Sequence, residues 1–234
     1  MLPGADFLLF AHRGASAEFP ENTQPAFARA IELGADGVEL DVHKCERTLV
    51  VIHDDSLERT TSGRGSVASS ALEVVRAADA GGGARVPLLA EVLTQLDATP
   101  LLLNIELKGP ATAAPSVALL REHRFAGQRV LLSAFDHDEL RSVRSLAPEF
   151  PRGALFGRLP RDAVARARSV GATTANFALR TVTRSLVEDC RAAGLEVLVY
   201  TVNTTDEADA LKEMGARGIF TDEPARMLAH FGRR

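Results

Sequence analysis

The sequence alternates short apolar strand patterns with helical patterns along nearly its whole length. Eight such strands can be distinguished, each followed by a helical segment. They are Phe7–Ala11, Val38–Val42, Leu101–Leu107, Arg129–Ser133, Arg152–Phe156, Ala172–Asn176, Glu196–Thr201 and Gly218–Phe220. Strand–helix units with short links pack as parallel sheets, and eight of them predict a (β/α)8 barrel. A doubly wound open sheet is the alternative, although no Gly-x-Gly-x-x-Gly motif follows the first strand.

The alternation is interrupted once, after the second strand. Thr48–Ile52 is apolar and β-branched, which predicts a hairpin with the strand before it. Residues 54–87 are rich in Ser, Thr, Gly and Ala, and a structureless loop of that length would be unusual in a compact domain. We therefore predict one domain over residues 1–234, with an insertion subdomain at about 44–87.

Composition excludes several classes of protein. The chain is 46% apolar and 25% charged, and its net charge of −4 predicts no nucleic-acid partner. Cys45 and Cys190 are far apart, which argues against a disulfide framework or a zinc site and fits a reducing compartment. No basic leader or apolar run of about 18 residues is present, so we predict a cytoplasmic protein without a membrane span. The oligomeric state is left open.

Carboxylates alternate with apolar residues on the second predicted strand. Glu39 and Asp41 share one face of Val38–Val42, and two neighbouring acids repel each other unless a positive charge lies between them. A solvated edge strand would explain the pair equally well. On the third strand, however, Glu106 and Lys108 also lie on the face opposite the leucines. Polar residues that recur on successive strands favour a site at the barrel opening.

Three of these acids form a set of hard oxygen ligands without a nearby thiolate. Glu39, Asp41 and Glu106 therefore predict a divalent cation, Mg²⁺ or Ca²⁺ rather than zinc. Arg13 and Lys108 follow or end strands at the same opening, where they suit the binding of an anion. Neutralisation of the acids is the alternative role for these two cationic side chains.

Two histidines complete the predicted site. His12 follows the first strand and His53 follows the hairpin, and both side chains change protonation near neutral pH. Two such groups around an anion can act as general acid and general base. A cation, two basic side chains and two histidines together favour phosphoryl transfer.

Seven motifs closely resemble, in order, those of the glycerophosphodiester phosphodiesterase family. They are HRGASAEFPENTQPAF, GADGVELDV, VVIHDDSLERTTSGRG, LLNIELK, LSAFDHDEL, VYTVN and GIFTDEP. The resemblance covers nearly the whole chain, and it implies a TIM barrel with a small insertion after the second strand. It also implies a site in which Glu39, Asp41 and Glu106 hold the cation, His12 and His53 are the acid–base pair, and Arg13 and Lys108 bind the phosphate.

The resemblance also implies the reaction. A glycerophosphodiester is cleaved to sn-glycerol 3-phosphate and an alcohol, with attack by the C2 hydroxyl and a cyclic phosphate intermediate. In the first step His12 is assigned as the acid and His53 as the base. Choline, ethanolamine, glycerol and inositol all fit as the alcohol. The alternatives are a phospholipase D-like lyase acting on lysophospholipids, and a non-catalytic barrel that binds phosphodiesters.

The sequence departs from the family pattern at two places. Residues 44–48 replace a longer turn that contains glycine, and Tyr200 replaces a tryptophan. We expect Tyr200 and Phe135 to line the substrate pocket, with barrel packing as the alternative for Tyr200. Flanking residues are expected to have lesser roles. Glu21 and Asn22 begin a helix or steady the metal ligands, Arg59 and Thr60 anchor the insertion, and Asn203 and Asp222 give support at most.

Overall fold

Eight parallel strands close into a barrel in the computed structural model, which describes residues 2–233. The barrel strands are β1 (Leu8–Ala11), β2 (Gly37–Cys45), β4 (Leu102–Leu107), β5 (Val130–Ala134), β6 (Arg152–Phe156), β7 (Thr174–Ala178), β8 (Glu196–Tyr200) and β9 (Gly218–Thr221); β3 (Thr48–Val51) lies outside the ring. Strand β1 pairs in parallel with both β2 and β9, which closes the ring. The predicted (β/α)8 barrel is confirmed, and the open-sheet alternative is wrong.

Helices cover the outside of the barrel. They are α1 (Gln24–Leu33), α3 (Leu89–Asp97), α4 (Ala113–Glu122), α5 (His137–Leu146), α6 (Ala163–Ser169), α7 (Arg184–Ala192), α8 (Thr205–Met214) and α9 (Pro224–His230), whereas α2 (Leu72–Ala77) belongs to the insertion. Val38, Leu40 and Val42 belong to the buried layer between strands and helices. Because side chains alternate along a strand, Glu39 and Asp41 face the barrel interior. Among the described residues, no helix is both long and apolar enough to cross a bilayer.

Apolar side chains fill the lower part of the barrel interior. Leu8, Phe10, Leu102, Leu198 and Phe220 form one buried cluster, in which the Phe10 and Phe220 ring centroids are 5.1 Å apart. Packed layers of this kind are usual inside (β/α)8 barrels. The polar residues of β2 and β4 lie above this cluster, towards the carboxyl ends of the strands.

The insertion begins as a hairpin. Strand β2 extends to Cys45, and its last four residues pair antiparallel with β3 across the two-residue turn at Glu46 and Arg47. This pairing explains why β2 runs beyond the predicted end at Val42. The turn contains no glycine, and Glu46 adopts the left-handed conformation there, with φ of 53°.

The rest of the insertion packs on a small apolar core of its own. A 3₁₀ turn (Val67–Ser69) and helix α2 surround buried side chains that include Val50, Ile52 and Leu57. The backbone N–H of Ile52 donates to the carbonyl of Asp41. This bond returns the chain to the barrel opening immediately before His53.

Replacement of Gly37 tests the tight packing at the base of β2. A Cβ atom at this position would lie 2.6 Å from Phe10 Cε1 and 2.8 Å from the Leu102 carbonyl oxygen. We expect Gly37→Ala to destabilise the protein by about 1–3 kcal/mol, because the close-packed interior must shift. Thermal unfolding followed by circular dichroism measures the effect. Gly157→Ala is the control, since its Cβ would have only an ordinary contact, 3.5 Å from Phe135; an equal loss in both variants would contradict the packing argument.

Candidate active site

Three buried carboxylates meet at the barrel opening. Glu39 and Asp41 come from β2 and Glu106 from β4, and the register pairs Asp41 directly with Glu106. One oxygen from each carboxylate lies within 4.8 Å of the others. Neighbouring parallel strands, each with an inward-facing acid at the same level, are sufficient to build this cluster. The structure thus places the three predicted metal ligands together.

The carboxylates are costly to bury as three anions. Burial, with the charges of Asp41 and Glu106, raises the pKa of Glu39 well above its usual value. Burial first, and Asp41 second, raises the pKa of Glu106 to about 7. The Oδ1 atom of Asp41 is buried and has no hydrogen-bond partner among the described residues. An oxygen set with these properties fits a hard divalent cation.

The loop between β1 and α1 supplies two donors to this cluster. The Asn22 side-chain amide donates to Asp41 Oδ2 over 2.9 Å, and the Arg13 backbone N–H donates to Glu39 Oε2 over 2.9 Å. Arg13 and Asn22 both have φ of 57°, so two left-handed residues aim this loop at the acids. Asn22 therefore does more than begin a helix, since it orients one of the carboxylates. The Arg13 guanidinium Nε lies 3.3 Å from Asp41 Oδ2.

His12 is oriented by a carboxylate from the other end of the chain. Its Nδ1 atom lies 2.7 Å from Asp222 Oδ1, and its Nε2 atom lies 4.0 Å from Glu39 Oε2. Asn203 and Ser16 also donate to Asp222. Burial alone would raise the pKa of Asp222, but these bonds, above all the one to His12, lower it to about 2. Asp222 contacts the imidazole directly, a closer role than the sequence predicted.

His53 has a matching arrangement on the insertion side. Its Nδ1 atom lies 2.6 Å from Asp54 Oδ1, and its Nε2 atom lies 3.1 Å from Lys108 Nζ. A lysine ammonium only donates, so Nε2 accepts and the ring proton lies on Nδ1, facing Asp54. His43 bonds through Nε2 to the His53 carbonyl oxygen over 3.0 Å. Burial is the main cause that lowers the pKa of His53, although the charge of Asp41 opposes it.

The predicted pocket residues lie on one side of the same opening. The Phe135 and Tyr200 rings meet edge to face, with centroids 6.1 Å apart. The Tyr200 hydroxyl donates to the Phe156 carbonyl, so this side chain both packs within the barrel and lines the pocket. Lys108 Nζ lies 2.9 Å from Glu106 Oε1 and 5.7 Å from the Phe135 ring centroid.

One cavity of about 610 Å³ joins these groups. It is lined by most of the predicted site residues, namely His12, Arg13, Glu39, His53, Glu106, Phe135 and Tyr200. The other two, Asp41 and Lys108, contact this set directly through Arg13 and His53. Chemically, the cavity and its border bring together three acids that fit a cation, two positive side chains and two imidazoles, of which His53 accepts from Lys108 at Nε2.

Comparison with known proteins identifies the family. The sequence model of the Glycerophosphoryl diester phosphodiesterase family matches residues 12–226. The chain belongs to this family. A Caldanaerobacter subterraneus glycerophosphodiester phosphodiesterase is 35% identical over 94% of this chain and 96% of its own length, and one from Bacillus altitudinis is 33% identical over 94% and 96%. The predicted enzyme class, phosphoric diester hydrolase, is confirmed at the level of the family.

Solved structures of the family have the same fold. A phosphodiesterase from Oleispira antarctica, in complex with the product sn-glycerol-3-phosphate, superposes with a TM-score of 0.89 and 30% identity, covering 99% of this chain and 97% of that one. A glycerophosphodiester phosphodiesterase from Agrobacterium tumefaciens superposes with a TM-score of 0.83 and 29% identity, covering 95% of this chain and 99% of that one. The likeness extends over the whole barrel.

The contacts of His53 predict its tautomer in solution. We expect His12 and His53 to carry the neutral-ring proton on Nδ1, because a carboxylate faces that nitrogen in each. His230 is the control, since its Nε2 atom faces Asp209 Oδ2 at 2.9 Å and should carry the proton instead. Long-range ¹H–¹⁵N correlation spectra at pH 8, assigned with His→Ala variants, distinguish the two forms. A His53 pattern like that of His230 would contradict the geometry.

Proposed function

We propose that this protein hydrolyses glycerophosphodiesters to sn-glycerol 3-phosphate and an alcohol. One observation supports this most directly: two carboxylate-oriented imidazoles line a cavity, and three clustered acids and two cationic side chains lie in it or at its border. Two relatives that match over nearly the full length of both chains are named glycerophosphodiester phosphodiesterases. The Oleispira antarctica relative binds sn-glycerol-3-phosphate, which is a small molecule that fits a cavity of this size.

Glu39, Asp41 and Glu106 are proposed to hold one divalent cation, Mg²⁺ or Ca²⁺. The Asp41 Oδ1 atom, which accepts no hydrogen bond within residues 2–233, and the raised pKa values of both glutamates support this assignment. When bound, the cation neutralises charge on the phosphate and helps to orient it. Arg13 and Lys108, which lie beside the acids, are proposed to bind the phosphate oxygens through charge-assisted hydrogen bonds.

His53 is proposed as the base of the first step. Its Nε2 atom is unprotonated, and its lowered pKa keeps the ring neutral near pH 7. It accepts the proton of the glycerol C2 hydroxyl, whose oxygen attacks phosphorus to form a cyclic phosphate. His12 donates a proton from Nε2 to the departing alkoxide. Asp54 and Asp222 stabilise the positive charge on each ring when it carries two protons.

The two rings exchange roles in the second step. His12, now neutral, accepts a proton from the water that attacks the cyclic phosphate. His53 returns its proton to the C2 oxygen, which restores both residues and yields sn-glycerol 3-phosphate. In this scheme each imidazole needs its Nδ1 atom held and its Nε2 atom available. A carboxylate oxygen lies at the Nδ1 atom of both rings, and Lys108 releases Nε2 of His53 when it turns to the phosphate.

A product assay tests the proposed activity. The purified protein is incubated with glycerophosphocholine, -ethanolamine, -glycerol and -inositol in the presence of Mg²⁺ or Ca²⁺. We expect sn-glycerol 3-phosphate as the final product and no turnover after exhaustive chelation. A cyclic phosphate as the final product would indicate the lyase alternative, and binding without turnover would indicate the non-catalytic barrel.

The leaving group distinguishes the two histidines. 4-Nitrophenolate leaves without protonation, so a glycerophosphodiester of 4-nitrophenol does not need the acid. We expect His12→Ala to lower kcat about 10²–10⁴-fold on glycerophosphocholine. The rate of 4-nitrophenol release should fall far less, and the cyclic phosphate should accumulate. His53→Ala should lose activity on both substrates, because it removes the base. Equal losses in the two variants on both substrates would refute the assignment of roles.

Cation binding should depend on pH with a defined sign. The raised pKa of Glu106 contributes stability to the cation-free protein below about pH 4.5, and this is lost as pH rises through about 7. Added Ca²⁺ or Mg²⁺ should therefore raise the melting temperature more at pH 8 than at pH 5.5. Glu39→Gln should reduce the increase at both pH values. An equal increase at both pH values in the wild type would contradict the prediction.

A further inference from the structure

We propose that Arg59 is a positioning residue that holds His53 and Arg13 in their working orientations across the gap between the insertion and the barrel. It acts on His53 through Asp54 and on Arg13 through Glu21. The inference rests on the proposed function, since it assigns Arg59 a part in that reaction. From the sequence alone, Arg59 is expected only to anchor the insertion.

The guanidinium of Arg59 binds two carboxylates in a bidentate manner. Its Nε and Nη2 atoms donate to Asp54 Oδ2 and Oδ1 over 2.6 and 2.9 Å. Its Nη1 and Nη2 atoms donate to Glu21 Oε2 and Oε1 over 2.9 and 2.8 Å. Asp54 is on the insertion and Glu21 is on the β1–α1 loop, so a single planar group joins two separate segments.

Each carboxylate also binds a residue of the active site through the oxygen that faces Arg59 Nη2. Asp54 Oδ1 lies 2.6 Å from His53 Nδ1, and Glu21 Oε1 accepts from Arg13 Nη1 over 2.8 Å. The result is a continuous chain from the imidazole to the phosphate-binding guanidinium, with alternating negative and positive groups. The hydrogen bond from Arg59 is also the main cause that holds the pKa of Asp54 well below its usual range.

Lysine cannot take the place of Arg59. Four hydrogen bonds to two carboxylates need the planar fork of a guanidinium, whereas an ammonium offers three donors from one atom. The Arg59 side chain is 47% exposed, so small ions can reach the position that it occupies. These two properties make the proposed role testable by substitution and by chemical rescue.

Anchoring of the insertion does not require this network. The hairpin pairs the insertion with β2, and a separate apolar core stabilises it. Arg76 in α2 also makes a bidentate pair with Glu91 in α3, over 2.6 and 2.7 Å, away from the active site. Arg76 therefore serves as a matched control, because it joins the same insertion to the barrel without reaching a histidine.

The first experiment compares Arg59→Ala, Arg59→Lys and Arg76→Ala in steady-state kinetics and thermal unfolding. We expect both Arg59 variants to lose about 10–100-fold in kcat/KM, as is usual when an orienting contact is removed. Arg76→Ala should keep kcat and KM within about twofold of the wild type, even if its melting temperature falls as much as that of the Arg59 variants. Kinetic loss of the same size in Arg59→Ala and Arg76→Ala, or full activity in Arg59→Lys, would overturn the proposal.

Two further variants separate the effect of Arg59 on His53 from its effect on Arg13. Asp54→Asn should lower mainly kcat, because it disturbs the base, and Glu21→Gln should raise mainly KM, because it releases Arg13. Combined with either change, Arg59→Ala should cost less than it does in the wild type, since part of its effect is already lost. Full additivity in both double variants would show that Arg59 acts independently of Asp54 and Glu21.

Guanidinium chloride at about 10–50 mM provides a second readout. We expect it to restore part of the lost kcat in Arg59→Ala, and not in Asp54→Asn or in the Arg59→Lys protein, where the site is absent or filled. A folded Arg59→Ala protein with reduced activity and no recovery would count against an orienting role. Absence of turnover in the wild type would refute the proposed function instead, so the two failures are distinguishable.

Discussion

Repulsion among three buried carboxylates is the interaction on which the rest of the site depends. Glu39, Asp41 and Glu106 face one point because two neighbouring parallel strands place inward residues at the same level. Burial makes three negative charges costly at this point, and positive or hydrogen-bonding groups from nearby segments offset part of that cost. Arg13 and Asn22 approach from one loop, and Lys108 comes from the end of β4.

Each positive side chain beside the acids contacts more than one partner. Lys108 contacts both Glu106 and His53, so its charge adds to burial in lowering the pKa of His53, and its ammonium lies beside the acids. The Nδ1 atom of each histidine lies against a carboxylate, Asp222 or Asp54, that is not one of the three clustered acids. The orienting acids and the clustered acids are therefore separate sets with separate tasks, although all lie at one opening.

Much of this architecture follows from local pattern. Period-two alternation on β2 and β4 identifies which side chains point inward, and the number of strand–helix units predicts the barrel. Contacts between distant loops do not follow from such patterns. Asp222 reaches His12 only because closure of the barrel places β9 beside β1, and Arg59 meets Glu21 only because the insertion folds back over the β1–α1 loop. Strand ends also shift where tertiary pairing decides them, as at β2, which the β3 hairpin lengthens.

The apolar cluster that contains Phe10 and Phe220 closes the base of the barrel interior, which determines the side from which small molecules reach the acids. Phe10 and Phe220 fill the interior below the acids, so the cavity extends from the acids towards the carboxyl ends of the strands. Under the proposed mechanism, the alcohol has to leave the cavity before water can attack the cyclic phosphate. Under that mechanism, an alcohol that attacked the cyclic phosphate in place of water would give a new diester, so the same cavity would carry out transfer as well as hydrolysis.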